Sequence, residues 1–343
     1  MKNQKKHINI PIFVTHLGCP NMCVFCNQRS ISGRIEFSRD KVINDIESVL
    51  STVNTEEYEI ELAFFGGSFT GIDRSLMKDL LAVGADYMRS GRIHSMRCST
   101  RPDYIDDEIL SILKSYGMRT IELGIQSMDD SVLSACKRGH TAQNTVDACK
   151  KITDAGFDLV GQMMIGLPGS DKNSEAACAR FICECGAVAA RVYPTVVFYG
   201  TELVGMCESG SYTPLTTEEA IERTASVLDI FDISDVPVIR VGLCSSENLT
   251  DDGQVYAGAN DVAIGEMAMS ALYFDRICSE IDRKYSETSG RGCTVYTACG
   301  NISKAVGHRR KNKDALLKKY GFKSVKILEK CELIGYNIII DIN

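Results

Sequence analysis

Short runs rich in branched and aromatic residues alternate along the chain with longer segments whose apolar residues recur at helical spacing. The runs predict strands over 8–14, 60–65, 94–99, 120–123, 159–165, 191–197 and 236–241. The periodic segments predict helices over 39–53, 75–89, 106–116, 141–155, 173–185 and 217–232. The last helix carries its own start signal, with Thr216 placed to cap it and Glu219 to reach back as a capping box. Six consecutive βα units specify an α/β chain with a mostly parallel sheet. With helices on one side only, such a sheet curls into a partial (β/α)6 TIM-like barrel whose functional loops lie at the C-terminal ends of the strands. Beyond residue 242 the alternation lapses: 260–283 predicts a longer helix after a glycine-bearing loop, and 331–340 a strand or hairpin. The expected organisation is a core over 8–242 and a small α+β C-terminal extension over 243–343.

Composition narrows the class. With 343 residues, 44% apolar and 24% charged, the chain is neither mainly disordered nor fibrous. A net charge of −7 argues against coating nucleic acid by bulk charge. Residues 304–330 run against that total, with ten Lys or Arg and two Asp or Glu, about +8. Such a stretch either contacts phosphates or forms a solvated helix face, as over 313–320. No run approaches the roughly 18 to 20 apolar residues of a spanning helix, and residues 1–6 are too polar for a signal peptide. The expectation is a cytoplasmic protein with no membrane partner. Fifteen cysteines, an odd number with no secretory signal before them, then read as reduced thiols, some of them metal ligands, rather than a disulfide framework.

The strongest chemical signal is Cys19, Cys23 and Cys26, a C-x3-C-x2-C run in the loop after the first strand, GCPNMCVFCNQ. Three thiolates on one tight loop can hold three irons of a cubane and leave the fourth open to a small ligand. The alternative is a closed tetrahedral zinc site completed by His16. The other twelve cysteines read as small core residues or, in part, as ligands of a second cluster. Among these, Cys178, Cys183 and Cys185 fall on a predicted helix, and Cys293 and Cys299 in a loop.

The cysteine run, with the aromatic Phe25 just before its third member, resembles the cluster motif of radical S-adenosylmethionine enzymes. The resemblance continues at AFFGGSFTG, similar to the glycine pair that receives the methionine amino group. There Gly66 and Gly67 leave room for close approach, and Ser68 stands where relatives often carry an acid. By itself that segment is a plain glycine turn. IELGIQSMDDSVLSACKRGHT resembles the coproporphyrinogen-oxidase and Elongator branches, which implies that Gln126 and Arg138 hold the cofactor. A planar guanidinium suits its carboxylate. Without that context Arg138 is a solvated helix-end cation. Ser99 and Gln162 fall where relatives carry ribose-binding acids, and Gly166 opens a turn similar to the one that packs along adenine.

STRPD, RVYPTVVFYGTEL and the GLPG turn resemble the Elongator catalytic subunit and its short bacterial relatives lacking the acetyltransferase domain, over about 8–242. The resemblance implies a [4Fe-4S] cluster, S-adenosylmethionine and a reductant such as flavodoxin or ferredoxin. It also implies reductive cleavage of the cofactor to a 5'-deoxyadenosyl radical, acetyl-CoA as hydrogen source, and the wobble uridine of tRNA as acceptor. A second expectation is a small anionic metabolite or natural-product precursor. A third, outside catalysis, is a metal-stabilised RNA-binding protein. Arg191, Tyr193 and Arg240, near the ends of late strands, are the candidate catalytic residues. A buried arginine there either meets an anionic substrate group or closes an internal ion pair.

Overall fold

Strand residues of one parity turn to the helices and pack a single large core. Ile10 and Ile12, Ile60, Leu62 and Phe64, and Ile121, Leu123 and Ile125 meet Ile46, Leu80, Leu81, Leu113, Ile152 and Ile182 there. Each such side chain, fully buried, contributes roughly 1.5 to 3 kcal/mol. The computed structural model describes residues 6–14, 19, 23–26, 38–54, 57–243 and 253–343. Its strands are β1 (Lys6–Phe13), β2 (Tyr58–Phe65), β3 (Ser95–Thr100), β4 (Met118–Gln126), β5 (Asp158–Ile165), β6 (Ala189–Pro194), β7 (Val196–Phe198), β8 (Val238–Val241), β9 (Val255–Gly258), β10 (Gly292–Thr297), β11 (Ser324–Glu329) and β12 (Ile338–Ile342).

Seven of them form one parallel sheet in the order β1-β2-β3-β4-β5-β6-β8. The crossovers are the helices Arg39–Leu50, Arg74–Arg89, Asp107–Ser115, Ala142–Asp154, Lys172–Glu184 and Thr217–Ile233, so the expected curled partial barrel is the observed one. Thr216 and Glu219 form the capping box. At Gly161 a β-carbon would lie 2.6 Å from Ile182, so glycine is what lets the helix Lys172–Glu184 sit down on β5.

Several local expectations change. The strand expected over 191–197 divides at Thr195, whose N–H and hydroxyl both donate to Ile165 O. The chain then leaves the sheet, and β7 pairs with β9 instead. Two short helices, Asp130–Ala135 and Glu202–Glu208, were too brief to show a period. In the C-terminal part, β10 lies between β11 and β12 under the helices Ile264–Lys284 and Lys311–Tyr320. Cys293 is on β10 and buried rather than in a loop. Of the strand or hairpin expected over 331–340, only 338–340 is extended, as the start of β12 after a turn. The reduced state expected for all cysteines fails at Cys299 and Cys331, which that turn brings together as a disulfide with Cα atoms 5.3 Å apart.

Candidate active site

The cysteine loop follows β1, and a buried residue inside it anchors it. Val24 donates its N–H to Cys136 O at 3.2 Å and accepts at its carbonyl from Leu203 N–H at 3.0 Å. Its side chain packs with Val132, Cys136, Leu167 and Leu203, and Phe25 rests half-buried on the same group. The two unexpected short helices therefore position the loop. Cys26 N–H donates to Cys23 O at 3.0 Å, closing a turn. Cys23 is buried beneath Arg138, whose Nη1 donates to its Sγ at 3.4 Å, while Cys26 is exposed. Cys19 Sγ lies 3.6 Å from the hydroxyl of buried Ser68. Among the described residues no three ligating side chains converge on one point, these included. His16, the fourth ligand of the zinc alternative, lies outside the described residues. Three soft thiols on one anchored loop, with a guanidinium already on one sulfur, fit an iron–sulfur cluster by donor chemistry.

Of the residues expected to hold S-adenosylmethionine, Ser68 and Arg138 touch cysteines of that loop. Gly66 takes φ +92° at the bend after β2. Backbone conformation is the reason for glycine here, since an added β-carbon would meet Phe13 only at 3.4 Å. Arg138 is 8% exposed and donates Nη2 to Gly124 O at 2.9 Å. Its fork is thus held by a carbonyl and a thiol, leaving Nε without a partner. Gln126, buried, takes φ +67° where the pairing with β5 shifts register, an unusual conformation for a side chain that is not glycine. Its amide oxygen accepts from Gln162 Nε2 at 3.4 Å. Ser99 lies across from Glu122 in register, its hydroxyl directed to that carboxylate. Gly166 is spoken for on both sides: its N–H donates to Glu175 at 2.7 Å, and its carbonyl accepts from Tyr212 OH at 2.7 Å. Arg223 clamps Glu175 with Nε at 2.8 Å and Nη2 at 2.5 Å. The turn expected along adenine is therefore rigidly supported from below.

The strand residues of opposite parity form a charged layer that pattern reading missed. Glu61 on β2 forms an ion pair with Arg97, whose Nε lies 2.7 Å away, and accepts a hydrogen bond from the Ser95 hydroxyl at 3.1 Å. Arg97 stands 4.0 Å from Glu122, and Arg191 Nε is 2.9 Å from the same Glu122 oxygen. Two carboxylates and two guanidiniums thus alternate across β2, β3, β4 and β6. Burial pushes the Glu122 carboxyl up, while Arg191 and then Arg97 pull it down. Arg191 also donates to Tyr193 OH at 3.2 Å and stands over the Phe65 ring. Burial raises the Tyr193 phenol. Arg240, beside Arg191 in register, donates Nε to Gly242 O at 3.1 Å. Of the two readings of Arg191, the ion pair is present in the structure.

His140 and Arg101 also lie here and were not singled out. His140 is 4% exposed. Burial, and then the Arg138 charge, push its imidazole from the ordinary 6.5 down to about 4. The neutral ring is the folded form, so the unfolded chain binds more protons between those values. Its contribution is fully present above pH 6.5 and is lost as pH falls towards 4, by up to about 3 kcal/mol. Denaturant unfolding of the metal-free protein at pH 7 and pH 4.5 should show this loss, and His140→Gln should reduce it. An equal pH dependence in the two proteins would contradict the assignment.

A parallel partial barrel with a three-cysteine loop after its first strand defines a class of enzymes, and comparison agrees with it. The Radical SAM superfamily model matches residues 13–182 and the Radical_SAM C-terminal domain model residues 188–272. The chain belongs to the radical SAM superfamily of enzymes. It is 29% identical over 195 residues to the tRNA uridine(34) acetyltransferase of Methanocaldococcus jannaschii, covering 50% of this chain and 36% of that protein. To the enzyme of that name from Methanocaldococcus infernus it is 26% identical over 253 residues, covering 62% and 47%. The chain thus spans at most about half the length of these relatives. In fold it is similar to the archaeal Methanocaldococcus infernus Elp3 with its N-terminus deleted, with TM-score 0.57 and 20% identity over 82% of this chain and 63% of the other. Membership in an enzyme superfamily sets aside the expectation of a purely RNA-binding protein. No helix among the described residues is long and apolar enough to cross a membrane.

Proposed function

We propose that the chain is an Elongator-like radical enzyme that holds one [4Fe-4S] cluster through Cys19, Cys23 and Cys26 and binds S-adenosylmethionine beside it. The single observation that carries this is the anchored cysteine loop with Arg138 on Cys23 and Gln126 next to it. When bound, the cluster supplies one electron to S-adenosylmethionine, whose cleavage gives methionine and the 5'-deoxyadenosyl radical that takes a hydrogen atom from substrate. The protein's part is positional. Arg138 Nε and the Gln126 and Gln162 amides offer donors to the cofactor, and the Glu175-supported turn at Gly166 gives its adenine a fixed surface. Tyr193 and Arg240 face the substrate, and Arg191 acts through its pair with Glu122. A flavodoxin or ferredoxin is the electron donor. The name of the relatives, tRNA uridine(34) acetyltransferase, supports tRNA wobble uridine as acceptor, and acetyl-CoA is the hydrogen source in this proposal. The exposed Arg309, Arg310, Lys311, Lys318, Lys319, Lys323 and Lys326 are available for phosphates.

The test is anaerobic. Reconstituted protein, reductant, S-adenosylmethionine and acetyl-CoA deuterated on the methyl should yield deuterium-bearing 5'-deoxyadenosine by mass spectrometry. Unlabelled 5'-deoxyadenosine would keep the radical chemistry and move the substrate to a small anionic molecule, and absence of 5'-deoxyadenosine would end the proposal.

A further inference from the structure

Among the described residues, a second buried cation joins Arg138 over the cysteine loop. Arg101 follows β3 and is 2% exposed. Its Nε and Nη2 donate to the Asp103 carboxylate, both at 2.9 Å, which fixes the plane of the guanidinium. Its Nη1 is buried without a hydrogen-bond partner. Its chain neighbour Thr100 meets Arg138 at Gly124, where the Thr100 carbonyl and Arg138 Nη2 would lie 3.5 and 2.7 Å from an added β-carbon, and the same Arg138 donates to Cys23 Sγ at 3.4 Å. On the other side the Thr100 hydroxyl bonds that of Thr70 at 2.6 Å, two residues from the Ser68 that touches Cys19. Asp103 is partly exposed, and against its one carboxylate stand two buried guanidiniums, Arg101 and Arg138, so the surplus beside the loop is positive.

We infer that Arg101 is a positioning residue for electron uptake, its buried charge raising the reduction potential of a cluster held by Cys19, Cys23 and Cys26. The inference rests on the cluster proposed above. A cluster on three thiolates is anionic, and one electron from a low-potential donor adds a further negative charge without breaking a bond. A fixed cation therefore favours the reduced form over the oxidised one. Asp103 works in the opposite sense, so the pair predicts shifts of opposite sign.

The measurement is a potentiometric titration of the reconstituted cluster, followed by electron paramagnetic resonance. S-adenosylmethionine is left out, so that a lost cofactor contact cannot imitate the effect. In Arg101→Gln the ratio of reduced to oxidised cluster at a fixed potential should fall at least tenfold, a shift of about 59 mV to lower potential for one electron. Arg101→Lys should recover most of it. Asp103→Asn, whose amide oxygen still accepts from Arg101, should shift the potential upward. It is read in place of Arg101→Gln if that variant fails to fold. Equal potentials in wild type and all folded variants would overturn the inference and leave the cluster standing. A wild-type protein that takes up no reducible cluster would instead overturn the function proposed for the chain.

Discussion

Cys26→Ala is expected to leave the fold intact and to abolish all detectable 5'-deoxyadenosine formation. Cys26 is exposed, and alanine keeps its backbone N–H to Cys23 O, which closes the turn. The loop stays anchored through Val24, whose carbonyl and N–H are bound to residues at two helices. A surface change of this kind costs within about 0.5 kcal/mol. The chemical loss is complete because two thiolates on one loop cannot hold three irons of a cubane. Iron content, the reduced-cluster resonance and product yield would be read on the same preparation, with unfolding by denaturant as the control. Full product from a folded Cys26→Ala protein would remove the radical reading altogether.

Glu122→Ala is expected to produce the largest loss of stability of any change considered, about 3 to 5 kcal/mol. The Glu122 side chain is 3% exposed and stands between Arg191 at 2.9 Å and Arg97 at 4.0 Å. Its removal takes the carboxylate away from Arg191 and puts the whole demand of Arg97 on Glu61. Most of the loss comes from buried positive charge left uncompensated, and little from the small cavity. Loss of one member of an exposed pair such as Lys150 and Asp154 costs far less, because water replaces the partner. A denaturant midpoint close to wild type for Glu122→Ala would show that the fold does not depend on this layer. It would also return Arg191 to the role of a cation for an anionic substrate.

Much of this layer has a faint trace in the sequence. Four of the five inner strands carry a charge amid apolar neighbours: Glu61 in YEIELAFF, Arg97 in SMRCST, Glu122 in MRTIELGIQ and Arg191 in AARVYP. A parallel strand buried on both faces is usually a continuous apolar run, so such charges, all of the parity that turns away from the helices, mark a polar interior. Pattern reading registered the strands and passed over the charges, apart from Arg191. His140 and Arg101 left no comparable signal. Their character comes from burial, which neighbouring residues in sequence do not decide.

The order of strands and helices, the capping of the helix Thr217–Ile233 and the C-x3-C-x2-C loop were all determined by the sequence alone. The physical reason is that each rests on interactions a few residues apart: side-chain period, a cap three residues from its partner, thiols spaced on one loop. Only the tertiary structure decided that Arg138 meets Cys23 across 115 residues, that Arg101 stands near the same sulfurs, and that Glu122 lies between two arginines. It likewise decided that the chain after Thr195 leaves the barrel to pair with β9, and that Cys299 reaches Cys331. Those contacts depend on the register of parallel strands and on which short helices fold back over the mouth. Register is set by the packing of the whole sheet, so no local window of the chain contains it.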